Sequence, residues 1–279
     1  MMSGMPQWGM ASVIPQRRTI EAIRVAWASI DELLCSLDAD EWGRPTCLPG
    51  WNVQAIATHI FATEAFLLGM APPQTIDSSG LDHVRNVIGE MNENWIASYA
   101  ESSPEEIISI YRDLTSQRGD ILAAMSADEW NTIGFTPAGK DIYGRFMRIR
   151  VLDCWMHEHD IREALNRPGH ESGLAVEVAL DEFAAAMGYV VGKLAGVPSG
   201  HSVTFDLTGP SGRQIHVVVE DKATTVDTLD GDATATLTMP VVAYTRLCGG
   251  RRDADPHLVE LSGDTAVGQR VLDHLAYMI

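Results

Sequence analysis

Basic clusters are missing from this chain: its 20 lysines and arginines never stand in groups longer than a pair, and 38 acidic residues leave a formal net charge of −18. A surface that acidic repels a phosphate backbone, so nucleic acid is not an expected partner. Cysteine is scarce as well. Cys35, Cys47, Cys154 and Cys248 are scattered with no CxxC pair, which excludes the dense disulfide framework of small secreted domains and fits a reducing cytoplasm. No apolar run approaches the roughly 18 to 20 residues that a membrane helix requires, and the longest, 55–71, is interrupted by Thr58, His59, Thr63 and Glu64. The first dozen residues, MMSGMPQWGMAS, lack both a basic start and a continuous apolar stretch; they do not read as a signal peptide, and a flexible tail is expected over 1–12. With only 13 prolines among 279 residues, 46% apolar and 21% charged, the composition is that of a soluble globular protein, long enough for two domains.

What is present first is helical periodicity. Between Val13 and Leu37 the apolar residues Ile20, Ile23, Ala26, Trp27, Ile30, Leu33, Leu34 and Leu37 recur mainly at three- and four-residue intervals, which predicts one amphipathic helix. Pro45 and Pro49 break the pattern, and Asn52 can cap a second helix over 53–70 whose apolar stripe carries His59. A loop by composition, APPQTIDSSG, leads to helical patterning over 81–100. Ser103, Pro104, Glu105 and Glu106 then supply a cap, a first-turn proline and two acids for a helix running to about Met125. Residues 129–140 read as irregular, and a long helix is expected from Tyr143 to Leu165, stopping at Asn166-Arg167-Pro168-Gly169. Four principal helices with 81–100 as an extra piece describe a bundle.

Near residue 170 the pattern changes. One more helix is expected over 174–194. The segments SVTFDLTG, RQIHVVVE, ATTVD and TATLTMP then alternate or run β-branched between Gly, Pro and Asp breakers, as in a meandering antiparallel sheet, before helical spacing returns at 240–248 and 264–276. The expected class is α+β in two domains: a helical bundle over 13–170 and a small α+β domain over 171–279.

Asp153 and His157, four positions apart on the 143–165 helix, project from one face about 40° apart and can share a ligand. His59, from the second helix, is the candidate third corner, because bundles build metal sites from inward side chains on facing helices. Two histidines and a carboxylate leave a fourth tetrahedral position open, the arrangement of catalytic zinc. The bland alternative is a hydrogen-bonded core histidine and a solvated polar face around Glu158, His159 and Asp160. Against it, Asp153 is flanked by Val151, Leu152, Cys154, Trp155 and Met156, where an unpaired carboxylate is costly. Trp51, Cys154 and Trp155 read as core. His83, His170, His201, His216, His257 and His274 show no ligand spacing with one another.

Three segments, LPGWNVQAIATHIFATEAFLLG (48–69), LDCWMHEHDIREALNRPG (152–169) and LTMPVVAYTRLCGGRRDAD (237–255), resemble the mycothiol-dependent maleylpyruvate isomerase family of actinobacteria, within the wider DinB-like group. The resemblance implies a DinB-like four-helix bundle, a sterol-carrier-like α+β domain, and a divalent metal, zinc, on His59, Asp153 and His157. It also implies mycothiol as thiol cosubstrate, held as a thiolate at the open metal position and adding to a small electrophile. Asp160 is then a candidate to orient an imidazole, and Arg252 and Arg251 are candidates to meet an acidic substrate and the polar groups of the thiol, with solvated side chains as the alternative for all three. One departure stands out: the maleylpyruvate isomerase itself has a glutamate where this chain has Asp153.

Three readings of function follow. The first is an isomerase or S-transferase acting with a low-molecular-weight thiol in the cytoplasm. The second is a thiol-transfer tailoring enzyme of natural-product assembly. The third is a binding protein whose sterol-carrier-like domain holds an apolar small molecule. Either a monomer or a homodimer is compatible with the sequence.

Overall fold

The computed structural model describes residues 13–278; the tail expected over 1–12 lies outside them. The described chain divides into two compact units, and the division is not a single cut: 16–131 with 153–169 form a helical unit, while 132–152, 170–278 and the short lead 13–15 form a sheet unit. No helix among the described residues is long and apolar enough to cross a membrane.

In the helical unit, α1 (Gln16–Cys35) buries Ala22, Ile23, Ala26, Ile30 and Leu34, the stripe expected from the periodicity. The Asn52 side chain accepts from the Ala55 amide at 2.8 Å and so starts α2 (Val53–Leu67). α3 (Val87–Ser98) is shorter than the sequence suggests, because Asn86 caps it and the preceding residues form a long connection. α4 (Pro104–Ala124) begins at the Ser103 cap, and a single turn, α5 (Ala127–Trp130), follows with a capping box from Ser126 and Glu129.

Buried polar contacts fix how these helices meet. Tyr111 on α4 donates its hydroxyl to the Trp27 carbonyl on α1 at 2.8 Å, and Arg118 on α4 reaches Glu64 on α2 at 3.1 Å, with both side chains almost fully enclosed. On α6 (Tyr143–Ala164), Glu158 is fully buried and accepts from Ser29 of α1 at 2.7 Å and from Arg162 at 2.8 Å. Such pairs orient helices more than they stabilise them, since desolvation offsets most of the attraction. The apolar filling comes from residues such as Phe61, Trp95, Trp130 and Trp155.

The sheet unit begins with a feature absent from the sequence reading. Residues expected to be irregular form a hairpin, β1 (Ile133–Thr136) and β2 (Gly139–Ile142), closed by a tight turn with Gly139 at φ +103°. Both strands have four residues and show no buried alternation, so no periodic signal announces them. α7 (Leu174–Tyr189) ends in a π turn over Val190–Leu194 rather than continuing as regular helix.

The main sheet has the order β5-β4-β3-β6-β7, with β3 (His201–Thr208), β4 (Arg213–Val219), β5 (Ala223–Val226), β6 (Ala235–Pro240) and β7 (Glu260–Gly263). The meander expected from the pattern accounts for the antiparallel β3, β4 and β5. The chain then returns past β3, so β6 lies parallel to it, with Phe205 opposite Leu237. Val203, Phe205, Leu207, Ile215, Val217 and Leu237 are buried, and the helices α7, α8 (Val241–Cys248) and α9 (Thr265–Leu272) pack on strands of this sheet. Gly188 and Gly192 admit β5 closely: a Cβ on Gly192 would stand 2.5 Å from that of Ala223. The result is an α+β chain, a helical region followed by a small, mostly antiparallel sheet domain.

Candidate metal centre

Helical geometry does the first part of the assembly. Asp153, His157 and Asp160 are spaced four and three apart on α6 and therefore form one stripe. α2, buried along nearly its whole length, carries His59. His59 and His157 are each about 7% exposed, Asp160 is fully buried, and Asp153 is partly open. One ligand atom from each of His59, Asp153 and His157 lies within 4.8 Å of the other two. The His59 Nε2 atom is 3.6 Å from Asp153 Oδ2, His157 Nε2 is 3.4 Å from Asp153 Oδ1, and the two imidazole centroids are 4.7 Å apart.

These separations exceed the roughly 2.7–3.2 Å of a good N–H···O hydrogen bond. They do suit a small cation. Two donors each about 2.0–2.1 Å from a tetrahedral metal stand about 3.4 Å apart. The second nitrogen of His157, Nδ1, is 3.1 Å from Asp160 Oδ2. A carboxylate can only accept, so Nδ1 carries a proton, and in the neutral imidazole the Nε2 lone pair faces the cluster. Burial disfavours the imidazolium of His157, but the Asp153 and Asp160 carboxylates more than offset it and hold its pKa above the ordinary histidine value.

Two neighbours escape sequence reading. Cys47 donates its thiol to the other oxygen of Asp160, Oδ1, at 3.3 Å, across 113 residues of chain. Trp51, expected in the core, is only partly buried and instead forms a wall: its ring lies 5.1 Å from that of His59 and 6.0 Å from that of His157. The PGW turn places it there, since Thr46 bonds the Trp51 carbonyl through both its amide and its hydroxyl. The core readings of Cys154 and Trp155 hold, both being 0% exposed.

Arg251 and Arg252 belong to the sheet unit, after α8. Arg251 is partly buried and donates to the Gly249 carbonyl at 3.1 Å, and Arg252 is exposed. Cys248 sits fully enclosed nearby, and burial pushes its thiol pKa up, away from reactivity.

Comparison with known proteins gives two consistent results. A family model described as the mycothiol maleylpyruvate isomerase N-terminal domain matches residues 23–162, and the model of the C-terminal domain of the same family matches 177–270. Among solved structures, mycothiol-dependent maleylpyruvate isomerase superposes with a TM-score of 0.58 at 17% identity, over 89% of this chain and 93% of that one. A mutant of that enzyme gives the same TM-score at 16% identity and the same coverage. At such identity the likeness is one of fold. No curated protein sequence matches the chain.

Proposed function

Because the chain belongs to the mycothiol maleylpyruvate isomerase family, we propose that it is a metal-dependent thiol enzyme, with zinc or another divalent cation on His59, Asp153 and His157 and mycothiol as cosubstrate. The observation that carries this reading is the convergence of three donors, from α2 and α6, within 4.8 Å of one another, with Asp153 standing from each imidazole at the spacing of a tetrahedral ion. A divalent cation held there supplies the positive charge that keeps a thiol deprotonated at neutral pH.

The chain's own residues do the rest. Asp160 fixes the tautomer and direction of His157, and Cys47 steadies Asp160 from its other oxygen. Trp51 covers the imidazoles with an apolar ring, lowering the local dielectric and strengthening each charge interaction beneath it. The partly open Asp153 marks the side from which substrate enters.

The chemistry needs no net redox change. Addition of the thiolate sulfur to one carbon of a conjugated cis alkene turns the double bond into a single bond. Rotation and expulsion of the same sulfur then restore the alkene as the trans isomer and return the thiolate. With a leaving group or a strained ring on the electrophile, the same attack is a transfer. This reading takes 13–170 as the metal-binding domain and 171–279 as a sterol-carrier-like domain, and sets the reaction in the cytoplasm, where a small thiol stays reduced.

The test is direct. Protein purified without chelators should contain close to one divalent ion per chain, and with mycothiol it should isomerise or form adducts with members of a panel of small electrophiles. Absence of stoichiometric metal together with silence across thiols would overturn the enzyme and leave a binding protein.

A further inference from the structure

Glu93 is a buried carboxylate on α3, away from the α2 and α6 stripes that supply the three donors. One of its oxygens, Oε1, accepts the Trp51 indole N–H at 2.7 Å and stands 2.9 Å from His83 Nε2. Since the carboxylate only accepts, His83 donates from Nε2. His83 comes from the 68–86 connection between α2 and α3, far longer than the roughly two to eight residues usual between bundle helices. A second contact seats the same histidine. Gly50, beside Trp51, has φ +80°, and a Cβ there would lie 2.9 Å from His83 Cε1. Only glycine allows that backbone with the imidazole in place.

From these contacts we propose that Glu93 is a positioning residue of the metal centre, setting Trp51 against the two ligand imidazoles and latching the 68–86 segment to the PGW turn through His83. An indole has a single N–H to give, so the direction in which it is accepted fixes the rotation of the ring. Asp160 orients His157 through a direct bond. Glu93 acts one step further out, through the face that Trp51 presents to His59 and His157. The inference rests on the metal-centre reading above.

The test uses the full chain with cobalt(II) as probe, its visible absorption reporting ligand geometry. In the metal-free protein, Glu93→Ala should shift the Trp51 indole N–H resonance and speed its exchange with solvent. It should also weaken cobalt binding about 10- to 100-fold and change the shape of the visible band. Glu93→Gln keeps an oxygen that accepts both N–H groups and should restore cobalt affinity to within about threefold. Wild-type affinity and spectrum in a folded Glu93→Ala protein would overturn the proposal, as would a Glu93→Gln protein impaired equally. If Glu93→Ala does not fold, His83→Ala serves: faster indole exchange and a cobalt affinity lowered at least about threefold support the latch, and unchanged values sink it. Wild-type protein that takes up no cobalt would overturn the metal reading instead, while the indole resonance, read without metal, still decides whether Glu93 holds Trp51.

Discussion

Two of the buried charge clusters that α6 contributes to are built on opposite plans. In the sheet unit, Arg145 bonds Asp141 at 2.9 Å and Glu182 at 3.1 Å, while Arg148 meets the other oxygen of Glu182 at 2.6 Å. Two cations face two anions, each within hydrogen-bonding distance of an opposite charge. In the helical unit, Asp153 stands 3.6 Å from the His59 imidazole and 3.4 Å from that of His157, which Asp160 meets from its other side. Despite burial, the two carboxylates favour positive charge beside them, as the raised His157 pKa shows, and a divalent cation would answer the same preference. A buried cluster that bonds its charges directly holds the fold together; one whose donors stand at metal spacing is a candidate site.

The largest expected effect tests the arginine cluster. Glu182→Ala leaves Arg145 and Arg148 buried with one fewer acceptor and should cost roughly 3–5 kcal/mol in denaturant unfolding, with metal or without. Asp153→Ala should behave in the opposite way. Removing a carboxylate that is partly open to solvent, it should leave the metal-free protein nearly as stable as wild type, yet abolish stoichiometric metal and the rise in melting temperature that zinc confers. Losing about 100-fold in affinity corresponds to about 2.7 kcal/mol. Should Asp153→Ala destabilise the metal-free chain as much as Glu182→Ala, the contrast between the clusters is lost.

The sequence made part of this contrast visible. Asp153 and His157 could be paired without coordinates because a helix fixes the angle between positions four apart, and the Asn52 cap gave the start of α2 from local chemistry. His59 joined them as a candidate through the general habit of bundles to build sites between facing helices, and through the family resemblance, since the meeting of two helices is not a local property. Cys47 and Glu93 gave no signal at all: their partners lie 113 and 42 residues away, and neither sits in a recognisable spacing. Trp51 was misplaced in the core because an aromatic after PG reads as packing, whereas its nearest ring neighbours include the two imidazoles. The β1–β2 hairpin and β7 were missed for a different reason. Each strand has four residues with little buried alternation, so their pairing rests on backbone contacts that composition does not encode.

Acidity sharpens the comparison with a smaller effect. The raised His157 pKa means that, without metal, protonation contributes stability that is complete below about pH 6.5 and is lost as the pH climbs through the higher folded-state value. Metal needs the neutral imidazole, so its contribution runs the other way. The zinc-induced rise in melting temperature should be least near pH 5.5 and grow towards pH 7.5. The arginine cluster has no histidine, and Glu182→Ala should show the same loss at both pH values to within about 1 kcal/mol. A zinc effect independent of pH would remove His157 from the ligand set.

The finest test concerns reach. Asp153 stands where the resemblance places a glutamate, and its two oxygens already lie 3.6 and 3.4 Å from the Nε2 atoms of His59 and His157. The shorter side chain therefore reaches the cluster without help, and partial exposure leaves room on its outer side. Asp153→Glu adds one methylene that this room can take up, so metal stoichiometry should be kept and affinity should change by less than about tenfold, or about 1.4 kcal/mol in either direction. Cobalt absorption would show whether the ligand geometry persists. If Asp153→Glu loses the metal as completely as Asp153→Ala, the backbone spacing between α2 and α6 is tuned to aspartate, and the glutamate that the resemblance places here belongs to a different geometry rather than the same one with a longer arm.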